Sequence, residues 1–370
     1  MFRTSVFILA SGLAGVIGSS AQADDSYAAR AAEVTDYIET KFRQSGSGGF
    51  VKSTADASPE DMWGNGVLFS TYVAAARHDR GKYEMRLKQF FETMDTHWDA
   101  KVLIPGYEPL PTAGGGSDKY YDDNAWMVIT FLEAYELTGD KRYLDRADLT
   151  LKFVLSGWDE EGGGGIWWHE GRKEGTKNTC ANAPAAVGCL RLARYVPADN
   201  AKILVKRAEE ITRWTSATFQ DEDGLFWDSK NIETGHINRG KLTYNTALMI
   251  RAYLGLNRQT GDETALAEAK RIGNAAAVFM GRRRPAYRNH VKWSHLLVEA
   301  DLELYRITKD ETFRGRAKQN ADSHYTSWKS NPPADAIANA SIARELWLVA
   351  DNETEVGRAF WAKADVPASN

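Results

Sequence analysis

An all-α fold, an (α/α)6 toroid of six helix hairpins, is what this 370-residue sequence predicts, and three observations predict it. A turn unit recurs. Thr138-Gly139-Asp140-Lys141-Arg142 is echoed by Thr260-Gly261-Asp262-Glu263-Thr264 and Thr308-Lys309-Asp310-Glu311-Thr312, with weaker copies at 78–87 and 197–208. Each copy is a helix end, a tight turn with an Asp to cap the next helix, and a new amphipathic run. The helical runs also alternate in character, one nearly continuously apolar and the next with a charged face. Finally, the short turns alternate with long loops at 99–120, 157–180, 219–242 and 281–289.

Apolar periodicity places twelve helices, starting near Tyr27, Met62, Lys82, Asp122, Lys141, Ala181, Asn200, Tyr244, Glu263, Val291, Glu311 and Asp335. The even-numbered ones are rich in small and apolar residues, as in Ala183 to Leu192 and Thr246 to Leu256, which suits an inner ring. The others show a charged face, as in Ala201 to Glu210, which suits an outer ring. Short turns then run from inner to outer helix at one end, and long loops return at the other. Function is expected at the loop-rich end, around the N-termini of the inner helices.

Residues 1–23 read as a secretory signal, with a charged Arg3, an apolar run from Val6 to Ile17 and a small-residue cleavage site at Ala21-Gln22-Ala23. The predicted mature chain, 24–370, is one domain, secreted or periplasmic. No stretch reaches the ~18 apolar residues that stable membrane insertion requires. A formal net charge of −4 with 26% charged residues gives no basic surplus for nucleic acid. Within one straight helix Cys180 and Cys189 would lie ~13 Å apart. They pair only if Cys180 sits in the preceding loop with the chain folded back.

The chemistry concentrates in Lys119-Tyr120-Tyr121-Asp122-Asp123-Asn124-Ala125-Trp126, two adjacent acids in a predicted first helical turn, after a glycine-rich loop. A helix N-terminus stabilises a carboxylate, so one Asp there is explained as a cap. A cap needs only one, and this pair sits among aromatic side chains of the kind that stack on sugar rings. Adjacent carboxyls lie a few Å apart, near the ~5–5.5 Å that separates nucleophile from acid/base in retaining glycosidases.

The other inner-helix starts supply Trp63, Asn65, Asn178, Asn182, Tyr244, Asn245, Trp293 and Asn339. Each asparagine is open to two readings, as a cap or as a ligand. Their convergence with Tyr121 and other aromatics suits a polysaccharide or oligosaccharide substrate, because amides bind hydroxyls while rings cover the apolar face of a sugar. The loop Gly162 to His169 is expected to add mobility and two more rings, Trp167 and Trp168, at least one of them facing the groove. No metal is expected, since His169, His236 and His290 lack ligand spacing, and no cofactor, since the glycine run lacks a phosphate-loop Lys-Ser/Thr.

With these motifs in place, the chain resembles glycoside hydrolase family 76, the endo-α-1,6-mannanases and related cell-wall enzymes. The motifs are Tyr121 to Trp126, Gly164 to Trp168, Lys177 to Ala186 and Leu242 to Asn245, spanning roughly residues 60 to 300 in the expected order. The resemblance implies an (α/α)6 fold, no metal and retaining hydrolysis of α-1,6-mannosidic linkages, with Asp122 as nucleophile and Asp123 as general acid/base. Ala247 replaces a glycine often found after the Tyr-Asn motif, and Asn-Thr-Cys-Ala-Asn varies the family text; both bear on subsites more than on chemistry.

Two other classes stay open on the residues alone. One is a different toroid enzyme, such as an unsaturated uronyl hydrolase, a lyase or a sugar 2-epimerase. An epimerase would use paired histidines such as His169 with His290 or His295, and a uronyl enzyme would use Lys177, Lys241, Lys292 and Arg282 to Arg284. The other is a non-catalytic periplasmic glycan-binding protein, which has no need of two adjacent acids.

Overall fold

The computed structural model describes residues 1, 25–116, 118–172 and 174–364. The predicted signal segment therefore lies, apart from Met1, outside the described residues. Inner helices are α2 (Met62–His78), α4 (Tyr121–Thr138), α6 (Thr179–Leu192), α8 (Thr243–Thr260), α10 (Val291–Thr308) and α12 (Ala336–Glu353). Each packs on the next, and α12 closes on α2, so the inner ring is complete. The outer layer is α1 (Tyr27–Lys41), α3 (Arg80–Thr93), α5 (Lys141–Ser156), α7 (Ala198–Phe219), α9 (Glu263–Ala275) and α11 (Glu311–Ser330). The ring is thus the (α/α)6 toroid.

The short turns work as their sequence requires. Asp140, Asp262 and Asp310 cap α5, α9 and α11 through Arg142, Thr264 and Thr312 N–H groups. Gly139 and Gly261 end α4 and α8 at φ 72°, the left-handed region that glycine enters without steric cost. The third copy places Lys309 there, at φ 60°.

Because the inner helices are surrounded, their polar side chains must pair inside the ring. Arg344 binds Glu133 through two nitrogens, each at 2.8 Å, and also faces Glu299. Arg77 joins Glu133 to Asp351, and Arg251 joins Glu299 to Glu303. The arginines hold the Glu133 carboxyl far below its usual range and Glu303 down to about 2, although burial alone would raise both. This ladder ties five of the six inner helices together at the barrel's middle and far end.

Two small sheets and an added helix depart from the twelve-helix expectation. Strands β1 (Trp98–Asp99) and β2 (Gly106–Tyr107) pair antiparallel. Strands β3 (Thr176–Asn178), β4 (Trp227–Asn231) and β5 (Ile237–Lys241) form an antiparallel sheet in that order, with an irregularity between Trp227 and Ser229. They cover the loop-rich end. A thirteenth helix, α13 (Glu355–Ala364), packs on α12 and α2 at the other end. Cys180 lies inside α6 with Cys189, both buried and free, so the folded-back loop that a disulfide needs is not formed.

Candidate active site

The start of α4 is held open for chemistry by its neighbours. Tyr120 is the extended residue before the helix and offers no side-chain cap, so loops supply the partners instead. The Tyr121 N–H donates to the Trp168 carbonyl at 2.9 Å, which fastens the 157–178 loop to the helix entrance. Asp122 Oδ1 accepts from the Asp123 N–H at 3.0 Å, and its Oδ2 accepts from Trp168 Nε1 at 3.0 Å and Cys180 Sγ at 3.3 Å. Among the described residues no hydrogen bond reaches the neighbouring Asp123 carboxyl.

These environments separate the two acids. Burial raises both above the ordinary aspartate range. For Asp122 the donors from Trp168, Cys180 and the backbone oppose that rise by stabilising the anion. Asp123 has no such help: burial first, then the charges of Asp122 and Asp61, push its carboxyl well above the usual range. The two adjacent carboxyls thus differ in surroundings: donors favour the anion at Asp122, and none does so at Asp123.

Both acids open into a cleft of about 360 Å³ at the loop-rich end. Its aromatic walls are Trp63, Tyr120, Trp168, Tyr244 and Trp293, with Tyr244 and Trp293 packed ring to ring at 5.6 Å. Asp61 stands on the rim, its Oδ1 capping α2 through Gly64 N–H at 3.0 Å. Cys180, Pro184 and Leu248 complete the floor, and Trp126 is buried beneath it against Trp63.

Of the residues singled out from the sequence, Trp63, Asp122, Asp123, Trp168, Tyr244 and Trp293 meet at this cleft. Tyr120 and Trp126 of the same stretch join them, whereas Asn65, Tyr121, Trp167, Asn178, Asn182 and Asn245 do not line it. Trp167 turns away: it is 4% exposed, its indole N–H donates to Asp159 Oδ2 at 2.8 Å, and Arg172 and Lys177 cover its ring. Tyr121 is stacked on Phe153 at 4.8 Å.

The asparagines are stitches between loop and helix. Asn182 accepts from Ile166 N and donates to the Ile166 and Asn178 carbonyls. Asn124 does the same with Tyr107 and Tyr120. Asn339 donates to Pro333 and Asp335, and Asn65 to Glu60. Asn178 is the residue before α6. Asn245 donates to Asp228 Oδ1 at 3.3 Å. The recurring amide therefore mostly serves backbone carbonyls from inside the first helical turn, and none of Asn182, Asn245 and Asn339 is the residue that caps its helix.

The glycine loop is fastened where mobility was expected. Lys177 is fully buried, and its Nζ donates to Asp159 Oδ1 and to the carbonyls of Asp159, Glu161 and Gly164. Gly165 sits at φ 92°, and a Cβ there would fall 2.3 Å from the Trp214 ring. The paired histidines of an epimerase are not assembled. His169 is buried between Asp118 and Glu174, His295 contacts Ser341 inside the barrel, and His290 accepts from Lys292 N–H at the α10 start. Among the described residues no group of three or more His, Cys, Asp or Glu is arranged to hold a metal.

Sequence reasoning gave no role to the Cys180 thiol or to Asp228, whose carboxyl meets Asn238 and Asn245 beside Tyr244. The position of Asp228 next to Trp227 was the available signal.

The sequence profile of glycosyl hydrolase family 76 matches residues 22–291. The chain belongs to that family. Its fold is shared with a family 76 α-mannanase of Bacteroides thetaiotaomicron, at TM-score 0.82 and 24% identity over 90% of this chain and 97% of the other. An α-1,6-mannanase of a Salegentibacter species matches at TM-score 0.75 and 22% identity, over 88% and 99%. A variant of that enzyme with two consecutive aspartates replaced by asparagine is inactive and is in complex with α-1,6-mannotriose. Dfg5 of Chaetomium thermophilum, in complex with glucosamine, matches at TM-score 0.72 and 16% identity, over 93% and 92%. No curated protein sequence matches significantly. Family membership makes the chain a glycoside hydrolase.

Proposed function

We propose that this family 76 glycoside hydrolase is an exported α-1,6-mannanase that cleaves with retention of anomeric configuration. The observation that carries the reading is the unequal environment of Asp122 and Asp123, adjacent in one helical turn at the floor of an aromatic cleft. Asp122, held as an anion by Trp168 and Cys180, attacks the anomeric carbon while the glycosidic C–O bond breaks. Asp123 gives its proton to the departing oxygen. It then takes a proton from water as that water attacks the same carbon and Asp122 leaves.

The rings of Trp63, Trp168, Tyr244 and Trp293 suit the apolar faces of pyranose units on either side of the acids. The linkage follows the named relatives, one of them an α-1,6-mannanase with an inactive variant in which two consecutive aspartates are replaced. The test is product analysis on linear α-1,6-mannan with the wild type, Asp122→Asn and Asp123→Asn. Short manno-oligosaccharides released first as α-anomers, and lost in both variants, are the expected result. Release of β-anomers first, or cleavage surviving in both variants, overturns the mechanism.

A further inference from the structure

The hairpin that leads into α10 carries a charge out of keeping with the rest of the chain. Between Glu268 and Glu299 the sequence has no acidic residue, yet Arg282, Arg283, Arg284, Arg288 and Lys292 fall there in a protein of net charge −4. All four arginines are exposed. Elsewhere among the described residues many surface cations are paired, as in Arg142 with Asp140, Arg271 with Glu268 and Lys329 with Glu33, and those that are not, such as Lys206 and Arg213, are not gathered into one turn. Among the described residues no ion pair joins any of these five to a carboxylate; Arg284 reaches only the Ser327 hydroxyl. The acid whose field reaches neighbouring His290 is Asp335.

The hairpin is built and aimed. Met280 pairs with Tyr287, Gly281 N–H donates to the Ala286 carbonyl at 2.9 Å, and Arg288 N–H to Phe279 at 2.9 Å. A Cβ on Gly281 would meet the Arg284 carbonyl at 2.4 Å, so only glycine lets the turn close this tightly. Asn289 Oδ1 accepts from Thr243 N–H at 2.6 Å, which anchors the hairpin to the start of α8. Its far end leads into α10, whose Lys292 Nζ lies 5.0 Å over the Trp293 ring, and Trp293 lines the cleft. On its other flank Arg284, Arg288 and Asn289 line a second hollow of about 380 Å³ with no acidic residue on its wall.

We propose that this hairpin is an anion-recognition element that makes the enzyme prefer glycans carrying negatively charged substituents, phosphate or carboxylate, beside the bond to be cleaved. It rests on the reading of the cleft as a mannan-cleaving site. Unpaired cations at the rim of a cleft concentrate an anionic polymer and speed its capture, and salt screens the effect. Guanidinium forks add bidentate contacts that phosphate and carboxylate both match. Continuity with Trp293 favours a glycan over a nucleic acid or a lipid surface, since the cation and the stacking ring meet at one edge.

The experiment compares kcat/KM on linear α-1,6-mannan, its phosphorylated derivative and its carboxymethylated derivative, at low and high salt. The wild type is expected to prefer at least one charged polymer by about ten-fold at low salt, and the preference to fall as salt rises. The triple change Arg282→Gln, Arg283→Gln, Arg288→Gln abolishes it, and the matching Lys triple keeps most of it. Preference for one charged derivative alone identifies the substituent and supports the proposal. Equal rates on all three polymers, or a preference unmoved in the Gln triple, overturns the proposal. If no polymer is cleaved, the mannanase reading fails by itself. Affinity electrophoresis of Asp122→Asn protein on the same polymers then decides the hairpin: charge-dependent retention lost in the Gln triple supports it, and its absence overturns it. Tighter retention by single-stranded oligonucleotide or anionic vesicles than by phosphorylated mannan also overturns the glycan assignment.

Discussion

Trp168 donates its indole N–H to Oδ2 of Asp122 at 3.0 Å, across 46 residues of chain. The bond joins the glycine-rich loop to the first turn of α4, and the Trp168 carbonyl accepting from Tyr121 N–H doubles the link. One residue therefore both stabilises the Asp122 anion and fixes its direction. On the proposed mechanism, Trp168→Phe keeps a ring in the cleft and removes the donor. A hydrogen bond to a charged group is worth ~1.5–3 kcal/mol, so kcat/KM on α-1,6-mannan falls roughly ten- to hundred-fold. The acid limb of the pH profile also moves up, because the anion has lost a donor; a purely structural role for Trp168 leaves that limb in place.

The pH dependence follows from the same pair. Asp122 must be ionised and is raised by burial, so activity is lost as pH falls through a value above the ordinary aspartate pKa of ~3.9. Asp123 must be protonated and is raised further, so activity is lost as pH rises through its higher value. The resulting bell belongs to the coupled pair. Asp61→Asn removes one of the charges that raise Asp123, and the alkaline limb is expected to shift down. A pH profile of kcat/KM for both proteins measures this, and an unmoved alkaline limb removes Asp61 from the account.

The raised pKa values also have a stability consequence of definite sign. A carboxyl whose folded pKa lies above its unfolded one binds more protons when native, so stability falls as pH rises from the unfolded pKa toward the folded one. Asp123 is such a group. Asp123→Asn is therefore expected to be inactive and to melt higher than the wild type at neutral pH, with the gap closing below about pH 4. Thermal melts at the two pH values test it.

The helical frame was legible because its signals are local. Nine of the twelve starts read from periodicity fall within one residue of the observed ones, and the rest within two. The small sheet was not legible, because β3 and β5 are short and polar, as in Ile237-Asn238-Arg239-Gly240-Lys241, and cover helix ends instead of forming a core. Residue type located the cleft but did not assign every role. Successive residues of an extended segment point to opposite sides, so Trp167 and Trp168 cannot both face the sugar, and neighbouring text does not say which one does. An asparagine amide binds a backbone as readily as a hydroxyl, and that ambiguity resolves only when Ile166 is seen against Asn182.

Gly165 converts this folding argument into a prediction about the site. Its φ of 92° is a conformation that L side chains rarely adopt, and the Trp214 ring occupies the place of a Cβ. Gly165→Ala therefore costs at least ~1–2 kcal/mol from the backbone alone, with the clash added. The loop can relieve both only by shifting, which carries Trp168 away from Asp122. The expected outcome is a lower urea midpoint together with a fall in kcat/KM no larger than Trp168→Phe produces. Combining the two changes should give little further loss of activity, because both act through one hydrogen bond. Additive losses in that double-mutant comparison would mean that the loop positions something besides the indole.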